Sequence, residues 1–469
     1  MKKILAALIT LFFVMLLNST DVVWAKSKNK KENQEQSQRI EYLNLSWWEH
    51  FNDPLLSSYI QELYEKNHDL KIAALKVKEG EKMVKISFAN ELPQVSFDGS
   101  FGRIMPSSNQ QFGNMLIPSY SQYQFQMPLT ASYEIDIWGE NRLKTKSIEK
   151  QLEMIREDER ASYIALTSAF ASEYYNIIKT DKLIDIQKQL VDLQKEIAVK
   201  TEVKYRNGLC SENEVLNEQK LLTSFQEELN NLLKTRTVLE NQLKVYLSDS
   251  DKVIDRTDYD SVILPENIPV SYDTSVIEKR PDYVRSEDYI KKIGYDVRIA
   301  KREFLPKFVI YGQMGFNAYQ WSKMFNSYSQ LANAGILPSF DLFSGGRKIA
   351  VLKLKKYQYE EAMQNYQKTI LTSIQEINDN SVAFQTAQKN YQQSLDRFTL
   401  ETKKYMLMSH KNEIGAASNL EVLYNKEQKL IVQRDEVSNK INCIISAISL
   451  YKAVGGQDLY RLTKEKENI

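Results

Sequence analysis

Two hydrophobic periods follow one another along this chain, and then both recur. Tyr123, Phe125, Met127, Leu129, Ala131, Tyr133, Ile135 and Ile137 alternate with Gln124, Gln126, Thr130, Ser132, Glu134 and Asp136. A period of two held for about fifteen residues predicts a strand with one apolar face, longer than the five or six residues usual in soluble proteins. Val95, Phe97 and Phe101 alternate likewise with Gln94, Ser96, Asp98 and Ser100. In the later half, Phe308, Ile310, Met314 and Phe316 alternate with Tyr311 and Gln313, and Ala334, Ile336, Phe340 and Leu342 with Ser339 and Asp341. Helical stretches separate these segments. A helix is predicted over Tyr59–Asn90 and again over Asp282–Glu303, before each strand pair. After the strands, Arg142–Asn207 and Arg347–Asn412 predict helices of about 100 Å at 1.5 Å per residue. Gly208 and Gly415 break them, and a return helix follows each. Heptad spacing at Leu183, Ile186, Leu190, Leu193 and Ile197 faces a matching stripe at Leu222, Phe225, Leu229, Leu232, Leu239, Leu243 and Tyr246, with Arg236 in one slot. That pattern is an antiparallel coiled coil. In the first copy the short and return helices, about 46 and 54 Å, together match the long one, which predicts a wall of constant height.

The recurrence is a duplication. Leu92-Pro93, Gly99 and Gly102 return as Leu305-Pro306, Gly312 and Gly315; Asp136-Ile137-Trp138 with Arg142 returns as Asp341-Leu342-Phe343 with Arg347. Leu166-Thr167-Ser168 returns as Leu371-Thr372-Ser373, and Gly208, Ser211 and Glu214-Val215-Leu216 as Gly415, Ser418 and Glu421-Val422-Leu423. The order is the same in both copies. The predicted organisation is an N-terminal segment over 26–58, a first repeat over 59–248, a turn-rich connector over 249–275, a second repeat over 276–456 and a tail over 457–469.

Composition sharpens this picture by exclusion. Glycine and proline are scarce, 15 and 10 of 469 residues, as long uninterrupted helices require. Lys plus Arg number 62 against 61 Asp plus Glu, so charge gives no reason to expect nucleic acid. Three His and two Cys leave no material for a zinc or disulfide framework, and no catalytic constellation or cofactor motif is present. Lys2 and Lys3, an apolar run from Ile4 to Leu17, and Val23-Trp24-Ala25 read as a secretory signal over 1–25. The run is too short for a span of about 20 residues, and no later stretch is apolar enough to cross a membrane as a helix. No Cys follows the run, so a lipid anchor is not expected.

An exported chain with long, aromatic-rich alternating strands predicts an outer-membrane barrel. Four strands cannot close one, and an open sheet would leave backbone groups unpaired in hydrocarbon at several kcal/mol each. The chain is therefore expected to assemble with copies of itself. A homotrimer would supply twelve strands, with Asp98, Gln124, Gln126, Glu134 and Gln313 facing the lumen and apolar faces against outer-membrane lipid. The expected fold is mainly α: a trimeric β-barrel, four strands per chain, continued by an α-helical coiled-coil barrel in the periplasm.

Several motifs also resemble a known family. Trp47-Trp48-Glu49-His50-Phe51-Asn52-Asp53-Pro54-Leu55, Tyr133-Glu134-Ile135-Asp136-Ile137-Trp138-Gly139, Glu278-Lys279-Arg280-Pro281-Asp282, Phe340-Asp341-Leu342-Phe343-Ser344-Gly345-Gly346-Arg347 and Gly455-Gly456 occur in the order found in the outer-membrane efflux (TolC) family, in its branch serving resistance-nodulation-division pumps. The resemblance covers nearly the whole exported chain. It implies a passive trimeric duct that conducts substrates delivered by an inner-membrane pump through a periplasmic adaptor. It further implies adaptor docking at the tips, Gly208, Leu209 and Ser211 with Gly415, Ala416 and Ser418. It implies a pore constriction ringed by Glu421 and its counterpart Glu214. The chain departs from the family at Tyr424, where a second gate acid often stands, and at Ala417, where some members carry arginine. Two other readings of the residues stay open: the duct of a type I protein secretion system, and a periplasmic coiled-coil scaffold without a pore. Met406, Met408 and His410 lie near the second tip, but the i, i+2 spacing puts Met406 and Met408 on different sides of a helix, which argues against a metal path. Cys210 and Cys443 are too far apart along their helices for a disulfide.

Overall fold

A computed structural model describes residues 46–105, 111–112, 115–116, 121–264, 268 and 275–457. The expected signal over 1–25 and the tail beyond Gln457 lie outside the described residues. Helices α1 (Pro54–Lys66) and α2 (His68–Ala89) lead to strands β1 (Gln94–Phe97), β2 (Ser100–Ile104) and β3 (Gln122–Glu134). Helix α3 (Glu140–Arg206) and its return α4 (Glu212–Tyr246) follow. The second repeat brings α5 (Pro281–Arg302), β4 (Lys307–Ala318), β5 (Gln330–Ser339), α6 (Arg347–Glu413) and α7 (Asn419–Ala453). Both long helices have 67 residues and both return helices 35, and α2 and α5 have 22 each. A duplicated sequence thus gives duplicated element lengths.

The chain divides into two compact units that cut across the repeats. One takes the described residues up to Asn67, Tyr163–Val276 and Glu376 onward; the other takes His68–Ser162 and Ile277–Gln375. The first holds the deepest core. Trp47 is fully buried and stacks on Tyr451 at 5.3 Å, with Phe51 against Tyr175 at 5.7 Å. Asp53 caps α1 by accepting from the Leu55 and Leu56 amides at 3.1 Å, and Pro54 occupies the first turn, where its missing N–H costs nothing. The coiled-coil stripe of α3 is buried at Ile186, Leu190, Leu193 and Ile197. Gln187 and Gln194 donate from that stripe to the Phe225 and Glu218 carbonyls of α4. Arg236, the polar slot in the return heptads, pairs with Asp181 at 3.8 Å. Arg256 in the connector reaches the same Asp181 at 2.8 Å and Glu240 at 2.6 Å, tying the connector to α3 and α4.

Two sequence expectations need correction. The helix expected over Tyr59–Asn90 is two helices. Asn67 adopts extended ψ between them (φ −59°, ψ 130°), and its buried side-chain amide donates to the Tyr246 carbonyl at 2.8 Å. That tertiary bond competes with helix continuation, which a local pattern does not register. The strands also end before their alternation does: β3 stops at Glu134, leaving Ile137 in a turn, and β5 stops at Ser339, before Phe340 and Leu342.

The sheet lies wholly in the second unit, with antiparallel neighbours in the order β1 and β2, β3, β4, β5. β1 and β2 are one strand in a single register, interrupted opposite Pro128. Asp98 donates to the Pro128 carbonyl at 3.1 Å, but Pro128 has no N–H to return, so the ladder breaks there. On the other side Pro128 faces Gly315. A Cβ on Gly315 would run into the Met127 carbonyl oxygen and lie 2.7 Å from Pro128 Cα. Only glycine fits.

Candidate functional site

Register assigns every strand residue to a face, because directly opposed residues point the same way. Phe97 opposes Leu129, Leu129 opposes Met314, and Ile310 opposes Ile336. These apolar side chains share one face and are solvent-exposed in the single chain. The other face carries Asp98, Gln124, Gln126, Thr130, Glu134, Gln313 and Asn333. All five residues expected at a lumen therefore stand on one face of the sheet. They bond to one another rather than to a core: Asn333 donates to Gln313 at 3.2 Å, Gln124 to Asn317 at 3.5 Å, and Ser96 to Asp98 at 2.9 Å. Glu134 is paired with Lys307 at 3.7 Å, and Lys307 also reaches Glu140 at 3.2 Å.

The six residues expected at the tips form two matching turns, both in the helical unit. Gly208 and Gly415 have φ of +68° and +75°. Each donates three residues back, and Leu209 and Ala416 donate five back, to Lys204 and Lys411 at 2.9 and 2.7 Å. These are Schellman closures, and the left-handed angle is why glycine stands there. Ser211 and Ser418 then cap α4 and α7. Each hydroxyl accepts from the amide of Glu214 or Glu421, while that carboxylate accepts from the serine amide, at 3.2 Å in the first tip and 2.7 Å in the second. Both expected constriction residues are therefore the third-position partners of capping boxes. The Ser418 amide and then its hydroxyl hold the Glu421 carboxyl below its ordinary range. The Ser-x-x-Glu spacing was readable in the sequence as a capping signal, and the sequence reading passed over it.

Just behind the tips, side chains from different repeats meet. Tyr424 of α7 donates to Glu218 of α4 at 2.7 Å, and Gln194 of α3 donates to the other oxygen of the same carboxylate. Further along, Arg434 of α7 reaches Glu228 of α4 at 3.3 Å. Burial first, and then the bond to Glu218, pushes the Tyr424 hydroxyl up to about 12. Glu427, one turn beyond Tyr424, is only 4% exposed. Burial, and then the Glu218 charge, pushes its carboxyl up to about 7. Nothing in the sequence pattern singles out Glu218 or Glu427, since their environment is made by helices far apart in the chain. His410 pairs with Glu413 at 3.4 Å, Met406 is exposed, and both Cys210 and Cys443 are free thiols.

One unit thus carries a sheet that is polar on one face and apolar on the other, and the other carries paired helices that end in capped turns. The chain belongs to the outer membrane efflux protein family, whose model matches residues 59–248 and 274–456. Among curated relatives it is 24% identical to the probable efflux pump outer membrane protein TtgC of Pseudomonas putida, over 90% of this chain and 87% of that one. It is 26% identical to the cation efflux system protein CusC of Escherichia coli, over 88% and 89%. Its fold matches the CmeC outer membrane channel of Campylobacter jejuni with a TM-score of 0.80 at 23% identity, covering 91% of both chains. The open-state MtrE outer membrane channel of Neisseria gonorrhoeae matches at 0.77 and 18%, covering 89% and 92%. The protein is an outer-membrane efflux channel and not an enzyme.

Proposed function

We propose that three copies of this chain form the outer-membrane duct of a tripartite efflux system. The observation that carries the reading is the two-faced sheet whose edge strands are unpaired among the described residues. Its exposed apolar face suits lipid, its polar face suits water, and its free edges require further strands. Asp98, Gln124, Gln126, Glu134 and Gln313 line the lumen. Gly208, Leu209, Ser211, Gly415, Ala416 and Ser418 form the surface met by a periplasmic adaptor, and an inner-membrane resistance-nodulation-division pump supplies the energy. Glu214 and Glu421, each repeated three times around the axis, form acidic rings that favour cations at the constriction.

The relatives' names span cations, toluene, antibiotics and pyoverdine at similar identity. A duct that tolerates such different cargo leaves selection to its pump, and the lumen supports this with neutral amides and few fixed charges. The test is conductance of the purified protein in a planar bilayer. Ion-conducting trimers are expected, with cation preference reduced by Glu214→Gln and Glu421→Gln together. Trimers that never conduct, even with those changes, overturn the duct; unchanged selectivity overturns the acidic rings.

A further inference from the structure

The duplication predicts how one copy meets the next. In the first repeat the strand-to-helix junction is covered: the Trp138 indole donates to the Pro306 carbonyl at 2.7 Å and is 40% exposed. The equivalent Phe343 is 89% exposed, and Leu342 beside it 90%. Gly315 and Gly102 occupy the same place in the repeat. Gly315 is required by the strand across from it, whereas a Cβ on Gly102 would meet nothing within 4 Å. Three features are thus explained within the chain in one repeat and left without a partner in the other: an aromatic, a glycine and a strand edge.

Resting on the three-copy reading, we infer that β5 of one copy pairs with β1 and β2 of the next in the register that β3 and β4 keep within the chain, placing Asn333 opposite Gly102, Leu337 opposite Asp98, and Phe343 against Pro93. The backbone agrees. Along an antiparallel strand, successive residues turn their N–H and C=O to alternate neighbours. The Asp98–Pro128 bond turns the odd-numbered residues of β1 and β2 outward. The Ile135–Phe308 bond, carried through the β4–β5 register, turns the even-numbered residues of β5 outward. The inferred register matches these groups, with Ile336 opposite Gly99 and Ala334 opposite Phe101, while Pro338, opposite Phe97, offers its carbonyl alone. It also keeps apolar face beside apolar face, since Phe97 and Phe101 lie on the side of Leu129 and Ala334 on that of Ile336. Gly102 then faces a neighbouring backbone as Gly315 faces Pro128.

Slips of two residues preserve both parities, and the two hairpins within the chain already differ by such a step when one repeat is laid on the other. They are therefore the competitors. In a background of Cys210→Ser and Cys443→Ala, Leu337→Cys is combined with Asp98→Cys, with Ser96→Cys or with Ser100→Cys, and the detergent-purified full chain is oxidised. The Asp98 pair should form covalent trimers about tenfold faster than either slipped pair, because only a directly opposed pair falls within disulfide reach. Faster linking by a slipped pair, or a trimer by native mass in which no pair links, overturns the register and leaves the trimer standing. A single-chain mass with no linking overturns both. As a second readout, Gly102→Val should abolish the heat-resistant oligomer while the chain keeps its helical circular dichroism; an oligomer as resistant as the parent's overturns the close approach at Gly102.

Discussion

Glu427 offers a quantitative check on the packing behind the tips. Its carboxyl is enclosed between α7 and α4, burial opposes ionisation, and the Glu218 carboxylate adds like-charge repulsion, so its pKa rises from 4.5 to about 7. A rise from 4.5 to about 7 corresponds to roughly 3–4 kcal/mol of preference for the neutral acid in the folded state. The sign follows from which state holds the proton more tightly. Folded Glu427 keeps its proton to about pH 7, whereas the unfolded chain loses it near 4.5. The stability this site contributes is therefore fully present below pH 4.5 and is lost as the pH rises through about 7.

Glu427→Gln keeps the shape and removes the titration. Its advantage over the parent should be near zero at pH 4.5, grow through the interval to pH 7, and level off at about 3 kcal/mol above it. In thermal unfolding followed by circular dichroism in detergent this is a rise of about 3 °C at pH 8, at about 1 °C per kcal/mol for a chain of 469 residues. Comparing the two proteins cancels every other titrating group. Burial being the larger cause, Glu218→Gln should leave most of the difference in place. A difference between parent and Glu427→Gln that stays flat from pH 4.5 to 8.5 would refute the buried-acid account.

Three further perturbations test other parts of the fold. Gly315→Val drives a side chain into the Met127 carbonyl and should cost about 3 kcal/mol or more, read as loss of folded protein from outer-membrane fractions. At the second tip, Gly415→Ala should cost about 1–2 kcal/mol for the left-handed angle and Ser418→Ala about 1 kcal/mol for the cap, both measured as lower unfolding midpoints. Asn67→Ala removes the bond to the Tyr246 carbonyl and should cost about 1 kcal/mol, with proteolysis at the α1–α2 joint as the readout.

Much of this was legible because the signals are local and repeated. A period of two set the strand faces, a period of 3.5 set the α3–α4 seam, and glycines with following serines marked the tips. What escaped the sequence depends on elements brought together from far apart. The break at Asn67 is fixed by a carbonyl at the end of α4. Glu218 becomes a junction because α3 and α7 both donate to it. β5 ends where β4 begins, Ser339 against Lys307, and alternation carries on past it. The capping boxes are a different case: the Ser-x-x-Glu spacing that makes them is local and stands in the sequence at both tips.

The duplication also predicts too much symmetry, and the failure is informative. Thr167 in α3 is fully buried, whereas its counterpart Thr372 in α6 is exposed; Leu166 is half-buried, whereas Leu371 is 68% exposed. The same holds along the helix, where α6 leaves Ile349, Leu354, Tyr357, Val382 and Leu400 in solvent. Thr167 owes its cover to Tyr64 of α1, whose hydroxyl lies 2.8 Å away, whereas the described residues just before α5 form only the single helical turn Ser275–Glu278. In the ring of copies proposed above, each second repeat would meet the first repeat of another copy. The apolar surplus on α6, the bare Phe343 and the unoccupied space at Gly102 are one deficit seen at three levels of the fold. A single chain leaves all three open, and the proposed ring of copies would close them together.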